Sequence, residues 1–559
     1  DLHSFPTRRS SDLAIKVVNG KTEYTTTVNL HGGTINGTVY GGGLGQLGDN
    51  PIEAKVYGDV LVKLNETIAS DDCFVKGNVF GCNNVNGTPM SDVTVHVYKT
   101  VKKDNTGAVI AKPTKETNTY ELAAVYGGGN QAAYDPEDAN NTRQTEVIID
   151  GCDLTSIEYV YGGGNAAAAP ATHVTVNSCY EIGTVFAGGN GAGDGNPGAN
   201  VGYKNDGTTS YGAGTALAEL KGGTIHQAFG GSNSRGNVRT SATAALNEAD
   251  PEGCPLCIDE IYGGGNEAYQ DGTSNIDLGC ISYLSNIYGG SKNADINNDI
   301  VLTIQSGRFN RVFGGNNLGG NITGTITVNI EETGCHPIII GQLFGGGNQA
   351  AYTAPSGKHG PTVNVKSFTS IGEVYGGGYG ASAVVNGDTY VYIDEYQGRH
   401  ASPTGDELTN VNNNTNKWIH FVAGKDGNGN DVTETVWQPE HNDGAIGTIG
   451  NVFGGGNAAG VNGNTNVIIG TKEYVEITSG ITVGTTDVRG YYTRSGSAGN
   501  YTYNEVTGNA AVPAVANTTY YKKVIGVTIT GNVYGGGNAA DVTGDTNVKI
   551  GTKEPTTTP

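Results

Sequence analysis

The sequence predicts an all-β protein built as a parallel β-helix, or β-solenoid, of about 13 coils. Three observations support this prediction. Glycine supplies 91 of the 559 residues, over twice its usual share of about 7%. A short aromatic-glycine motif recurs along the chain, and brief alternating segments lie between its copies. This much glycine argues against a helical bundle, and the glycines lack the three-residue period of collagen.

The recurring motif is a hydrophobic residue, then Tyr or Phe, then a glycine-rich turn, in its fullest form VYGGGN or VFGGGN. The glycines allow positive φ or a close backbone approach at a sharp corner. Asparagine tolerates left-handed geometry, and its amide can bond to the same Asn of the next coil. We therefore predict one ladder of stacked aromatics and one of asparagines. The 13 signature aromatics are Tyr40, Phe80, Tyr126, Tyr161, Phe186, Phe229, Tyr262, Tyr288, Phe313, Phe344, Tyr375, Phe453 and Tyr534. The asparagines proposed for the second ladder are Asn130, Asn165, Asn190, Asn266, Asn348, Asn457 and Asn538.

Short alternating segments, such as Asp92 to Val97 and Thr145 to Asp150, have the two-residue period of a strand with one buried face. The smallest interval between signature aromatics is 25 residues, too short for a four-stranded propeller blade of roughly 40–45 residues. It fits one coil of a solenoid, whose apolar face is buried only when coils stack. A phosphate-binding loop is disfavoured, because it needs one glycine turn that opens a helix.

The ends and the long intervals define the predicted domain organisation. The segment His3 to Leu13 shares nothing with the repeats and resembles a translated sequencing adapter, so residues 1–13 are excluded from the fold. Residues 14–559 are predicted to form a single β-solenoid interrupted at fixed corners. The predicted insertions are 101–119, 191–214, 234–256, 394–445 and 472–527.

The charge balance limits the classes of function. The chain has 32 basic and 54 acidic side chains and a net charge of −22, which argues against nucleic-acid binding, because phosphate requires a basic face. No stretch of 18 apolar residues predicts a membrane-spanning helix. The ten histidines are dispersed, and neither HExxH nor GxSxG occurs. The sequence thus indicates no catalytic site and predicts a non-enzymatic protein.

The two C-terminal insertions carry the candidate ligand-binding residues. Trp418 and Trp437 flank a predicted hairpin turn at Gly427 and Asn428 in the first of them. The second is rich in tyrosine, and its candidates are Tyr491, Tyr492, Tyr501 and Tyr503. Flat aromatics on projecting loops suit sugar stacking or protein recognition. The alternative is that they form small cores of their own, since isolated hairpins need apolar packing.

One weak calcium candidate lies in the same hairpin. Asp426, Asn428 and Asn430 alternate like the first ligands of a calcium loop. The glutamate expected eleven residues after the first ligand is absent, because Trp437 stands there. A plain hairpin turn is therefore favoured, and no other metal or cofactor is predicted.

The cysteines favour structural thiols or disulfides over catalysis. Cys152 and Cys179 fall at the same corner of neighbouring coils, and a coil spacing of about 4.8 Å suits a disulfide. Cys257 with Cys280 is a second possible pair. The CxxC formed by Cys254 and Cys257 could indicate redox chemistry or zinc, but no second CxxC accompanies it.

Across residues 23–553, the VYGGGN turns resemble those of glycine-rich β-helical surface proteins of bacteria, of the adhesin-like and autotransporter-passenger class. The resemblance implies secretion to the cell surface, a passive stalk-like body, and contact with glycan or with a protein of a host or neighbouring cell. We therefore expect an extracellular adhesin whose insertions recognise glycan or protein. The alternatives are a polysaccharide lyase or hydrolase on a β-helix, which requires carboxylates and basic residues clustered on one sheet, and a purely structural surface spacer.

Overall fold

The structure of the chain is a computed structural model. The structure describes residues 16–18, 21–23, 25–66, 72–103, 106, 108–110, 119–136, 142–192, 198–251, 253–332, 336–395, 421–425, 431–435, 447–477, 481–497 and 500–551. Residues 1–13, assigned to a sequencing artefact, lie outside this set. Every regular element of the described residues is a strand, and the longest sheets are entirely parallel. The predicted all-β, parallel β-helix class is therefore confirmed. The described part of the chain contains no candidate for a membrane-spanning helix.

One parallel sheet of 14 strands, named here the aromatic sheet, carries the signature motif. All 13 signature aromatics are the last residues of its strands. Its strands are Val39–Tyr40, Asn78–Phe80, Leu122–Tyr126, Ser156–Tyr161, Glu181–Phe186, Gly223–Phe229, Leu256–Tyr262, Tyr283–Tyr288, Arg308–Phe313, Ile339–Phe344, Ser370–Tyr375, Thr448–Phe453, Thr528–Ile529 and Val533–Tyr534.

A second parallel sheet of 14 strands, the alternating sheet, is built from the segments with a two-residue period. In Asp59–Leu64, for example, Val60, Val62 and Leu64 are buried and the residues between them are partly exposed. Its strands are Thr25–Leu30, Asp59–Leu64, Val93–Val97, Thr145–Ile149, Thr172–Val176, Thr215–Leu220, Ser241–Leu246, Thr273–Leu278, Ile300–Ile304, Ile326–Glu331, Thr362–Ser367, Thr389–Ile393, Thr465–Ile469 and Thr546–Ile550.

The remaining strands form short sheets. A parallel trio comprises Tyr352–Thr353, Val385–Asn386 and Val461–Asn462, and Thr34–Ile35 pairs with Phe74–Val75. Three further two-stranded sheets are Lys16–Val18 with Lys21–Glu23, Lys102–Lys103 with Val109–Ile110, and Phe421–Lys425 with Asp431–Thr435. An antiparallel sheet of four strands orders Tyr474–Glu476, Tyr520–Lys523, Tyr492–Ser497 and Asn500–Glu505.

The chain divides into two compact units. Unit 1 comprises Asp1–Ile300, Asn316–Gly324 and Phe421–Glu434, and unit 2 comprises Val301–Gly315, Thr325–His420 and Thr435–Pro559. In unit 1, Ile157, Ile182 and Ile225 form one fully buried column of the aromatic sheet. In unit 2, Val363, Val391 and Val467 form such a column of the alternating sheet. Each core therefore consists of columns of identical or similar apolar residues.

The glycine turn is required for close approach and not for positive φ. None of Gly162, Gly163 and Gly164 has a positive φ. A Cβ on Gly162 would lie 2.3 Å from the carbonyl oxygen of Ala187 in the next coil, and one on Gly164 would lie 2.6 Å from that of Ala167. A side chain at any of these positions would collide with backbone, so only glycine fits there when the coils are stacked.

Left-handed geometry was expected at the asparagine that follows the glycines. In two turns it occurs instead at the residue after that asparagine. Ala458 and Ala539 have φ of 53° and 51°, and both directly follow the asparagine of their turn. None of the ladder asparagines themselves has a positive φ. The expectation of a left-handed asparagine is therefore wrong, because the amide faces its neighbouring coil from an ordinary backbone conformation.

Candidate functional site

The signature aromatics stack coil upon coil. In unit 1 the rings from Tyr40 to Tyr288 stack in sequence with centroid separations from 4.4 to 5.1 Å. In unit 2, Phe344 lies 4.8 Å from Phe313 and 4.7 Å from Tyr375. Phe453 is stacked between Tyr375 and Tyr534. These separations match the spacing between strands, so the backbone ladder itself places each ring on the next.

The rings point away from the alternating sheet. Consecutive residues of a strand face opposite sides, and the glycine after each aromatic faces the alternating sheet. A Cβ on Gly41 would approach Val60 and Val62 within 2.8 Å, for example. Tyr40 therefore faces the other side. The inner rings are nevertheless covered, since Tyr161 is only 2% exposed.

A ladder of asparagine amides runs beside the rings. The amide nitrogen of each donates to the side-chain oxygen of the one before, at 2.8 to 2.9 Å, from Asn84 through Asn130, Asn165, Asn190 and Asn233 to Asn266. In unit 2, Asn538 donates to Asn457 at 3.4 Å. Asn233 also donates to the hydroxyl of Tyr161 at 3.4 Å. Each inner amide is both donor and acceptor, so this column of polar groups is satisfied by its own repetition.

The cysteine pairing corrects the prediction. Cys152 is bonded to Cys254, with the Cα atoms 5.9 Å apart, and not to Cys179. Cys179 is a buried thiol whose sulfur lies 3.5 Å from the Thr224 carbonyl oxygen. The two bonded cysteines belong to coils separated by two others in the aromatic sheet. Cys254 reaches across Gly222, where a Cβ would lie 2.7 Å from the Cys254 carbonyl oxygen. The bond thus links two coils that are not neighbours, past a corner where Gly222 leaves room for the backbone of Cys254.

The second suggested pair is also wrong. Cys257 is a buried thiol, whereas Cys280 is disulfide-bonded. Cys257 is the second residue of its strand and pairs with Thr224 and Tyr283 of the neighbouring strands.

One histidine on the aromatic sheet is held between two carboxylates. His226 Nε2 lies 2.8 Å from Glu181 and its Nδ1 lies 2.7 Å from Asp259. Two hydrogen bonds, the stronger effect from Asp259 and the next from Glu181, raise the pKa of His226 to about 9. The imidazole is therefore protonated at neutral pH and acts as a cation between the carboxylates, not as a base. Sequence reasoning missed this cluster, because its members are 45 and 33 residues apart.

Loops that follow four glycine turns of unit 1 enclose a groove of about 660 Å³. Lys204 lies 3.2 Å from Asp135 and stands over the ring of Tyr211, 4.9 Å from its centroid. The Tyr211 hydroxyl donates to the carbonyl oxygen of Pro136 at 2.8 Å. These contacts join the loop that contains Lys204 and Tyr211 to the loop that contains Asp135 and Pro136.

The 472–527 insertion folds around a small core of its own. Val488, Ala514 and Tyr520 are buried together, and Tyr491 packs against them with its ring edge-on to Tyr520. Lys522 lies over the Tyr491 ring at 3.9 Å, and burial lowers the pKa of this lysine. Tyr520 and Lys522 alternate with Tyr521, so the core occupies one side of the four-stranded sheet only.

The opposite side of that sheet, named here the tyrosine face, gathers residues by register. Tyr492 pairs with Tyr521 and with Glu505, Arg494 with Tyr503, and Tyr474 with Lys523. Residues paired across antiparallel strands point to the same side. The tyrosine face therefore comprises Tyr474, Glu476, Tyr492, Arg494, Tyr501, Tyr503, Glu505, Tyr521 and Lys523.

The rings of the tyrosine face contact one another. Tyr474 and Tyr503 are stacked at 4.0 Å, and Tyr503 meets Tyr521 edge-on at 5.2 Å. The Tyr521 side chain is only 3% exposed, whereas that of Tyr501 is 43% exposed. Burial raises the pKa of Tyr521 and of Tyr492. Both hydroxyls are consequently neutral hydrogen-bonding groups at physiological pH.

Arg494 is the cation at the centre of the tyrosine face. Its guanidinium carbon lies 4.2 Å from the ring centroid of Tyr501 and 4.9 Å from that of Tyr521. Gly496 is directly opposite Tyr501. It has a φ of +98°, and a Cβ there would lie 2.2 Å from the carbonyl oxygen of Asn500. This turn therefore requires glycine, whose missing side chain leaves one side of Tyr501 open to the arginine.

The structure brings together three of the predicted ligand-binding tyrosines, Tyr492, Tyr501 and Tyr503, and assigns Tyr491 to the core on the other side. Sequence reasoning missed the part played by Tyr474 and Arg494. The two-residue period of each strand could have placed Arg494 on the same side as Tyr492, and Tyr474 on the same side as Glu476. The sequence does not show that these two strands belong to one sheet. Both tryptophans and the possible calcium ligands Asp426, Asn428 and Asn430 lie outside the described residues, although the strands Phe421–Lys425 and Asp431–Thr435 do pair.

Within the described residues, no group of three or more His, Cys, Asp or Glu side chains is placed to hold a metal ion. Comparison with known protein families, curated proteins and solved structures gave no match to this chain.

Proposed function

We propose that the chain is a non-enzymatic, adhesin-like repeat protein of the bacterial cell surface or secreted space, whose insertions recognise glycan or protein. The observation that carries this proposal is the tyrosine face, which presents rings and an arginine on the side of the sheet opposite the insertion's own core. Tyr491 and Tyr520 stabilise the core side, whereas Tyr501 on the opposite side is 43% exposed.

The chemistry of the tyrosine face favours a glycan over a protein as the ligand. Sugar rings have an apolar C–H side that packs on aromatic rings, and hydroxyls that pair with polar groups at the ring edges. Tyr501 is the most accessible ring of the face, and the Tyr521 hydroxyl already donates to Glu476 at 3.4 Å. The face therefore offers apolar area and hydrogen-bonding groups in one place, as a sugar-binding site requires.

The disulfide between Cys152 and Cys254 supports an extracellular location, because such bonds persist in oxidising compartments. The stacked coils support a passive body, since each coil is stabilised mainly by its neighbours. Projecting loops then carry the recognition, as is usual for repeat proteins.

The test is a glycan array probed with the full chain and with three variants. Deleting 472–527 and replacing Tyr501 and Tyr503 together by Ala should both abolish the signal, whereas Tyr520→Phe on the core side should leave it unchanged. Binding that survives the deletion would contradict a site on the tyrosine face. Absence of binding to every glycan would favour a protein ligand or a purely structural spacer.

A further inference from the structure

Arg494 has the properties of an anion-binding residue that still lacks its anion. It forms no ion pair with any carboxylate of the described residues, and its side chain is exposed. By contrast, Arg489 of the same insertion is engaged by Asp487, with Nε 2.7 Å from the carboxylate. In a chain with a net charge of −22, an arginine without a carboxylate partner on a cluster of tyrosines calls for a functional explanation.

The rings hold the guanidinium in place. The guanidinium carbon lies over the ring of Tyr501 and over that of Tyr521, so two cation–π contacts fix its position. A planar guanidinium presents two parallel N–H donors, a geometry that matches a carboxylate in a bidentate pair. Glu505 lies diagonally across the strands from Arg494 and yet does not pair with it. The Arg494 side chain shares one hydrogen bond with the Tyr503 hydroxyl. A guanidinium has five N–H donors, so donors remain for a carboxylate that a ligand supplies.

We propose that the tyrosine face binds a carboxylated polysaccharide, with the uronate carboxyl on Arg494 and the sugar ring on Tyr501. This inference rests on the proposed function and adds the class of its ligand. A uronic acid carries a carboxyl on the ring that also has the apolar C–H side, so both groups reach neighbouring positions of one small site. Tyr501 and Arg494 are in direct contact, which fits that short spacing.

The experiment compares hexagalacturonate with its fully methyl-esterified form, in which a methyl group replaces the negative charge of each carboxyl. Binding of each to the full chain is measured by calorimetry at fixed ionic strength. We expect the acid to bind at least about tenfold more tightly than the ester, as for a charged hydrogen-bonded pair. Arg494→Gln should reduce acid binding to the level of the ester, and Arg494→Lys should give an intermediate affinity because an ammonium lacks the fork.

Arg489→Gln is the matched control, because it removes the same charge from the same insertion at a residue that is already paired. It should leave the preference for the acid intact. Equal loss in both glutamine variants would overturn the proposal in favour of a general effect of net charge. Equal binding of acid and ester, abolished by Tyr501→Ala, would overturn the carboxylate assignment and leave glycan recognition standing. No binding of either probe by the unaltered chain would overturn the carboxylate assignment as well, and the glycan array decides separately on the proposed function.

Discussion

The aromatic ladder makes a quantitative prediction about position within a stack. Phe344 is fully buried and has a stacked ring on each side, Phe313 at 4.8 Å and Tyr375 at 4.7 Å. Tyr534 is the same residue of the motif but is 44% exposed, and among the described residues its ring stacks on Phe453 alone. Substituting each by Ala therefore tests the same position with two neighbours and with one.

The structure sets the expected magnitudes. Truncating a buried Phe costs about 3–5 kcal/mol, and two lost ring pairs of about 0.5–1.5 kcal/mol each place Phe344→Ala at the upper end. For Tyr534→Ala, roughly half of the burial term of about 1.5–3 kcal/mol and one ring pair give about 2 kcal/mol. We expect a difference of about 3 kcal/mol between the two substitutions.

Urea unfolding with hydrogen exchange is the suitable assay, because a solenoid need not unfold in one step. In Phe344→Ala, amide exchange should accelerate most in the neighbouring strands Arg308–Phe313 and Ser370–Tyr375. Phe344→Leu is the control that keeps apolar volume while losing the stacking, and it should cost about 1–3 kcal/mol. If Phe344→Ala is no more destabilising than Tyr534→Ala, the argument from two-sided stacking is refuted.

Three further predictions concern polar and covalent contacts. Asn190→Ala removes two amide bonds from the inner ladder and should lower the free energy of unfolding by about 1–3 kcal/mol, whereas Asn538→Ala, with one bond to the preceding coil, should cost about half as much by urea titration. The pKa of His226 is raised in the folded chain to about 9 from 6.5, so its contribution is complete below pH 6.5 and lost as pH rises through 9. Melting curves of His226→Gln should accordingly differ from those of the unaltered chain at pH 6 and converge above pH 9. Cys152→Ser opens a disulfide of sequence separation 102 and should cost about 2–5 kcal/mol; an unchanged urea midpoint would show that the bond adds nothing to stability.

The fold was predictable because the same motif recurs in every coil. Tyr161 and Asn165 occur in a motif whose copies recur at intervals as short as 25 residues, and only a coil of the solenoid fits that length. The need for glycine at Gly162 was predictable too, with positive φ and close approach as alternative causes. The structure selects close approach, and its partner, the carbonyl of Ala187 in the next coil, was not predictable. A single motif shows which residues are small and says nothing of what lies above them.

Contacts that skip coils or join the strands of an insertion were beyond the sequence. The bond from Cys152 to Cys254 passes over two intervening coils, so a rule based on neighbouring corners selected Cys179 instead. The tyrosine face failed in a different way. Tyr492 and Arg494 share a side of their own strand by simple alternation, but Tyr521 joins them only through strand pairing, which no local pattern specifies.

The position of the tyrosine face allows recognition and stability to vary independently. Tyr501 is on the side of its sheet opposite Val488 and Ala514, so its substitution leaves the insertion's core intact. The signature aromatics have the reverse constraint, since each inner ring supports the next and a change at one coil is felt by both neighbours. Replacing Tyr501 should therefore alter ligand binding while leaving the urea midpoint unchanged, and replacing Phe344 should do the opposite. A repeat protein built in this way can acquire a new ligand by altering one side of one insertion, while the sequence of its coils stays fixed by stacking.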